Sequence, residues 1–158
     1  MSLVLADHVE VKIKTLDHYD PGFELPFYAS AGAAGADIRA SIPEKKSMTV
    51  KAGERVLIPT GIAMEIPLGY EVQVRPRSGL SLKSPLMIVN APGTIDSDYR
   101  GEVCIIVGNF SSVDYVIEHG LRIAQLVLCP VTQAKYVATS RLNETQRGSG
   151  GFGSTGTR

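Results

Sequence analysis

The sequence lacks an excess of either charge: sixteen lysines and arginines balance sixteen aspartates and glutamates. Without a net field, nothing favours nucleic acid or an anionic membrane surface as a partner. Long apolar runs are missing too. No stretch approaches the roughly 18 residues that cross a bilayer as a helix, so no membrane span is expected. The opening Met1–Asp7 has no basic region and only a short apolar stretch, unlike a secretory leader. That predicts a cytoplasmic protein. Cysteine is scarce: Cys104 and Cys129 each lie inside an apolar run and read as buried free thiols. No CxxC or paired-histidine spacing accompanies them, which argues against a zinc site. His8, His18 and His119 are scattered and read as structural or surface residues.

Glycine and proline, by contrast, are frequent, at 16 and 9 residues. Breaks at that density favour many short strands over long helices. A chain of 158 residues fits one domain with a real core. Val9–Lys14 alternates strictly, with Val9, Val11 and Ile13 on the core face. Met48–Val50 and Arg55–Ile58 flank Lys51–Glu54, which reads as a hairpin turn. Ile62–Ile66 and Tyr70–Arg75 follow, separated by a Pro67–Gly69 turn, and Gly108–Ser112 reads as another turn. Tyr115–Ile117 and Leu121–Leu128 are the last strong strands. Turns about every 8–12 residues predict an all-β sandwich or barrel.

Several segments carry chemistry beyond this pattern. Asp37 is an acid planted in the apolar strand Ala36–Ala40, either solvated at a sheet edge or held by a partner or metal. In Pro76–Pro85, Ser78 can cap a short helical turn beside Arg77. Such a turn is a plain connection or an anion site, since free backbone N–H groups and a forked guanidinium suit phosphate. Ala91–Glu102 gathers three acids, an aromatic, a cation and two glycines between the apolar runs Leu86–Val89 and Val103–Val107. It is a polar loop between buried strands, with Asp96 and Asp98 either bonding locally or presented for function. Arg122 and Gln125 interrupt a strand apolar enough to be buried on both faces, so each needs a partner. The tail Arg147–Arg158 has five glycines and one aromatic, Phe152. It is a flexible end or a closing arm.

Five segments, in order, resemble the five motifs of the trimeric deoxyuridine triphosphatases (dUTPases). They are Ala34–Ala40, Pro76–Ser81, Gly93–Glu102, Arg122–Leu126 and Arg147–Gly156. The resemblance implies an all-β, jelly-roll-like subunit with one short helix, assembled as a three-fold homotrimer with shared active sites. Residues 1–140 would form the catalytic domain, and 141–158 a glycine-rich arm that closes over a site. The implied reaction is hydrolysis of dUTP to dUMP and pyrophosphate with Mg2+. Such a reaction would limit uracil in DNA and supply dUMP for dTMP synthesis.

The roles carried over by the resemblance are these. Asp96 matches the carboxylate that activates water against the α-phosphorus. Tyr99 would pack under the deoxyribose and leave no room for a 2′-hydroxyl. Asn90 and the main chain of Gly93, Thr94 and Ile95 would read uracil, and Phe152 would stack on it. Arg77, Ser78, Gly79 and Gln125 match phosphate-binding positions, joined by Arg147, Gly153, Ser154 and Thr155 of the arm. Asp37 matches the acid near the metal and would act through water, Mg2+ lying mainly on the triphosphate. Asp98 and Arg100 would be structural. Pro92 and Ser81 depart from the family's usual residues, and Pro92 bears on the uracil loop. The same fold serves dCTP deaminases, and a catalytically silent nucleotide-binding β-trimer is the alternative of another class. The Asp96–Tyr99 pairing and the Phe152 arm favour the hydrolase.

Overall fold

A computed structural model describes residues 8–152. It is built of twelve short strands and one α-helix, with a 3-10 turn at Pro43–Lys45. In chain order the strands are β1 (Lys12–Thr15), β2 (Phe27–Tyr28), β3 (Ala36–Arg39), β4 (Met48–Val50), β5 (Arg55–Ile58), β6 (Ile62–Glu65) and β7 (Tyr70–Arg75). After helix α1 (Ser78–Lys83) come β8 (Leu86–Ile88), β9 (Gly93–Ile95), β10 (Ile105–Asn109), β11 (Tyr115–Ile117) and β12 (Arg122–Pro130). The largest sheet runs β2-β3-β12-β7-β9, and a second runs β5-β10-β8. Two-stranded ribbons β1-β6 and β11-β4 complete the shell, and every pairing is antiparallel.

Alternation explains what fills the interior. Along β7, Val72 and Val74 are buried while Glu71, Gln73 and Arg75 point outward. Ile58, Ile62, Ile105, Ile117 and Ile123 come from five different strands and are all fully buried in one core. Branched side chains suit this role, since their stiff χ1 fits the pleat and fills space between sheets. Each isoleucine so buried contributes about 2–3 kcal/mol of transfer free energy. Val9, Val11 and Ile13 are indeed the less exposed members of their alternating run, although regular pairing begins only at Lys12.

The Lys51–Glu54 turn forms, with Glu54 N donating to Lys51 O and Gly53 at φ 73. It is not a hairpin, however. β4 pairs with β11 and β5 with β10, so the chain crosses between sheets at this corner. Asn109 is the reason. Gly53 N donates to Asn109 O, and Asn109 N donates to Glu54 O. The buried Asn109 side chain then donates to Val50 O and Val113 O and accepts from Ser111. The side-chain amide ties the end of β4 to the loop before β11, while the main chain of Asn109 draws β5 to β10. Gly108 and Asn109 accordingly belong to β10, and the turn expected there starts at Phe110.

The runs Leu86–Val89 and Val103–Val107 do lie side by side, as β8 and β10 with Val107 opposite Ile88. The loop between them is not a simple hairpin tip. Its own short strand, β9, leaves the β8-β10 sheet and adds to β7, with Val72 opposite Ile95 and Val74 opposite Gly93. Residues 90–102 thus bridge the two main sheets. Beyond Pro130 no further regular element occurs among the described residues, and 131–149 are exposed throughout. No described helix is long and apolar enough to cross a membrane.

Candidate functional site

Asp37 sits on β3 between β2 and β12 and is only 7% exposed, so it is no edge-strand acid facing water. Burying a carboxylate costs several kcal/mol unless it is paired. Both of its oxygens are. Arg77 Nε donates to Oδ1 at 2.7 Å, and Arg122 Nη1 donates to Oδ2 at 3.0 Å. Arg77 also donates from Nη1 to the carbonyl of Arg122. The guanidinium planes are therefore fixed by one shared anion. The partner that Arg122 needed is Asp37, and the partner of Gln125 is the carbonyl of Pro76, 2.8 Å from its Nε2.

Arg77, rather than Ser78, is the residue that precedes α1, with an extended backbone at φ −90 and ψ 128. No side chain caps the helix. Ser78 stands at the first helical position, so the expected serine cap is absent. Pro76 and Arg77 are held by Gln125 and Asp37, which fix the helix entry without help from the Ser78 hydroxyl. Ser78 and Gly79 are both exposed.

Gly35 accounts for where Gln125 lies. A Cβ added at Gly35 would fall 2.2 Å from Gln125 Oε1 and 3.1 Å from its Cβ. The glycine leaves the space that the glutamine occupies as it reaches Pro76. A cleft of about 360 Å³ opens beside it, between Gln73, Arg75, Pro76 and Gln125 on one side and Ala91 and Pro92 on the other.

A second cleft, of about 280 Å³, gathers Thr94, Ile95, Asp96, Tyr99, Glu102 and Cys104 with Leu57 and Ile106. Asp96 and Tyr99 meet here because the chain turns sharply: Tyr99 N donates to Asp96 O at 3.1 Å. The tyrosine ring then folds over Gly101, where a Cβ would lie 2.4 Å from its hydroxyl oxygen. That hydroxyl donates to the carbonyl of Glu102 at 3.0 Å. Arg100 closes the same turn from Nη1 to the carbonyls of Ser97 and Tyr99, the structural part expected of it. Burial raises the Cys104 thiol to about 11, aided by the nearby Glu102 carboxylate, so the thiol is protonated and unreactive near neutrality.

Asn90 lies just before β9, and Gly93 makes room for it: a Cβ at Gly93 would sit 3.0 Å from Asn90 Nδ2. Pro92 follows a cis peptide bond from Ala91. The Asp96–Tyr99 cleft contains none of Arg77, Ser78, Gly79 or Gln125. Within the arm, Arg147 Nε donates to Gly150 O at 2.8 Å, and Phe152 is fully exposed. Gly153, Ser154 and Thr155 lie outside the described residues.

Glu102 was not singled out by sequence reasoning. Its Oε1 accepts from the backbone N–H groups of Thr60 and Gly61, at 3.0 and 2.8 Å, and from His18 Nε2 at 2.8 Å. The only sequence signal for it is an acid standing directly before the buried run from Val103. His18 and His119 are structural, as expected; His119 donates from Nε2 to Asp20 and accepts at Nδ1 from Ile42 N.

Among the described residues no three His, Cys, Asp or Glu side chains cluster to hold a metal. With both oxygens of Asp37 engaged by arginines, the described residues offer no ready-made inner coordination sphere. Such an arrangement fits an ion that arrives on a phosphate chain and keeps its water.

The family model for dUTPase matches residues 22–156. A deoxyuridine 5′-triphosphate nucleotidohydrolase of Chlamydia abortus is 59% identical over 140 residues, covering 87% of this chain and 94% of that protein. One from Roseobacter denitrificans is 53% identical over 148 residues, covering 94% and 97%. Among solved structures, a Staphylococcus bacteriophage 80alpha dUTPase mutant with dUpNHpp superposes with a TM-score of 0.80 at 26% identity. That match covers 93% of this chain and 98% of the phage protein. A second staphylococcal phage dUTPase, from phi11, has a TM-score of 0.71 at 23% identity and is described as coordinating a structural Mg(II) ion. On the match to the family model and to these relatives, the chain belongs to the dUTPase family.

Proposed function

We propose that this protein hydrolyses dUTP to dUMP and pyrophosphate. The observation that carries the reading is the shared cleft of Asp96 and Tyr99, within a chain of this family. The Asp96 carboxylate takes a proton from a water molecule poised over the α-phosphorus. The water oxygen bonds to phosphorus as the bridging bond to the β-phosphate breaks, and pyrophosphate leaves in line. Tyr99 presents its ring to C2′ of the sugar, where a ribose hydroxyl has no space. Asn90 and the main chain of Gly93, Thr94 and Ile95 pair with the uracil edge, an amide supplying both donor and acceptor.

Arg77, Ser78, Gly79 and Gln125 receive the phosphates. Asp37 holds Arg77 by Nε and the Arg122 carbonyl holds it by Nη1, which fixes the guanidinium plane that receives an incoming anion. When bound with the triphosphate, Mg2+ would offset its negative charge, and Asp37 would reach it only through water. Gln125 and Asp96 line different clefts of one chain, and Arg77, Ser78 and Gly79 lie outside the Asp96 cleft, which supports a site completed by neighbouring subunits of a homotrimer. The exposed apolar face formed by Leu57, Met87 and Val89 suits such packing. Residues 141–158 act as the arm, with Phe152 stacking on the base and Arg147, Gly153, Ser154 and Thr155 gripping phosphate. The working compartment is the cytoplasm, where nucleotide pools are maintained.

Pyrophosphate release with Mg2+, measured for dUTP, dTTP, dCTP and UTP on one preparation, tests the reading. Release from dUTP alone is expected. Ammonia released from dCTP would instead indicate a deaminase, and dUTP binding without turnover a silent binding trimer.

A further inference from the structure

We infer that Glu102 is a positioning residue for Tyr99 and, through it, a determinant of the choice between deoxyribose and ribose. The inference rests on the reaction proposed above. Besides the Arg100 bond to its carbonyl, two bonds place Tyr99: its backbone N–H bonds to Asp96 O, and its hydroxyl bonds to Glu102 O, 3.0 Å away. The first lies inside the turn and moves with it. The second fixes the far end of the ring, and its position is set by where Glu102 is held.

Glu102 is held by three donors on one carboxylate oxygen: Thr60 N, Gly61 N and His18 Nε2. These come from the entry to β6 and from the segment after β1, neither of which belongs to the loop. Each donor is itself anchored. Gly61 stands at φ 69, pressed against the backbone of Tyr19, where a Cβ would lie 2.8 Å from Tyr19 Cα. Its carbonyl accepts from Leu16 N. The carbonyl of His18 accepts from the buried Ser41 hydroxyl at 2.7 Å. Thr60 is buried and donates from its hydroxyl to Val103 O, while Val103 N donates to Ile62 O at 2.8 Å. Two residues of strand entry and one histidine therefore clamp the end of the loop from outside.

A carboxylate accepts such bonds more strongly than any neutral group, and bonds to charged acceptors contribute about twice as much as neutral ones. Discrimination against a 2′-hydroxyl depends on sub-ångström placement of the ring, so loss of the clamp is felt there first. Glu102 also lines the cleft beside Tyr99 and Asp96, which places the clamp against the site itself.

The test compares pyrophosphate release from dUTP and UTP for the parent, Glu102→Ala, Glu102→Gln and His18→Ala, with thermal melts on each. The ratio of kcat/KM for dUTP over UTP is expected to fall at least ten-fold in Glu102→Ala. A fall of about three-fold is expected in His18→Ala, and the least change in Glu102→Gln, whose amide oxygen still faces Thr60 N and Gly61 N. General loosening lowers both activities together and leaves the ratio unmoved; that result in a folded Glu102→Ala overturns the inference. If Glu102→Ala does not fold, His18→Ala decides, and an unchanged ratio there overturns it. A parent inactive on dUTP removes the proposed reaction and this inference together. A selective parent whose variants keep its ratio removes only the role of Glu102.

Discussion

Arg77 donates to Asp37 through Nε rather than through its terminal nitrogens, at 2.7 Å. Bonding by that edge leaves the guanidinium rigid yet with donors to spare, and Arg122 neutralises the second carboxylate oxygen. Asp37 is therefore the counter-ion that keeps two cations close together before any phosphate arrives.

Replacing Asp37 with alanine leaves both arginines facing each other without an anion. Removing one partner of a buried ion pair costs about 3–5 kcal/mol. Here Arg122 is 42% exposed and water recovers part of that, so a loss of about 2 kcal/mol is expected. Chemical denaturation measures it. KM for dUTP should rise more than kcat falls, because Arg77 loses its fixed orientation. A variant as stable as the parent, with unchanged KM, would show that Arg77 is oriented by something else.

Gly35→Ala tests the placement of Gln125. The new methyl needs the space of the glutamine's Oε1 and Cδ, 2.2 and 2.9 Å away. The side chain must swing aside and give up its bond to Pro76 O. Stability should fall by about 1–2 kcal/mol, as in other overpacked sites. Turnover at limiting dUTP should fall about ten-fold if Gln125 receives phosphate, since one well-placed hydrogen bond to a charged group contributes about 1.5–3 kcal/mol. Full activity in a folded variant would remove Gln125 from the phosphate site.

Asp96→Asn keeps the shape of the cleft and removes the base. Loss of a positioned general base lowers kcat by about 100- to 10,000-fold. Binding of dUTP, followed by calorimetry, should stay within a few-fold of the parent. Turnover at the parent rate would mean that another group activates the water.

How much of this could be read in the sequence depends on how local the cause is. Strands such as Tyr70–Arg75 are legible because their alternation is complete within six residues. The Lys51–Glu54 turn is legible as a turn, yet its strands separate, since Asn109 lies far along the chain and draws β5 away. Asp96 and Tyr99 are close in sequence, so their meeting in one cleft was visible at once. Arg122 and Gln125 stood out as polar intruders, but their partners, 85 and 49 residues away, were not predictable from spacing. The clamp on Glu102 was hidden more deeply. Two of its donors are backbone N–H groups at Thr60 and Gly61, and main-chain donors leave no mark in a sequence.

Asp20 makes the stability of the fold depend on acid. Lys45 beside it holds its carboxyl well below the usual carboxylate range, with help from Gly22 N and His119. A carboxyl that is more acidic in the folded state binds fewer protons there than in the unfolded chain. Stability therefore rises with pH across the interval between the two values. The contribution is fully present above about pH 5 and is lost as pH falls through the ordinary aspartate value near 4 and below. The loss should be concentrated where the Pro43–Lys45 turn meets His119, because both Lys45 and His119 converge on Asp20 Oδ2, at 2.8 and 3.0 Å. Thermal melts between pH 6 and 3 are expected to give a falling Tm for the parent and a shallower fall for Asp20→Asn, which has no proton to gain. Parallel slopes for the two proteins would place the acid sensitivity on another carboxylate.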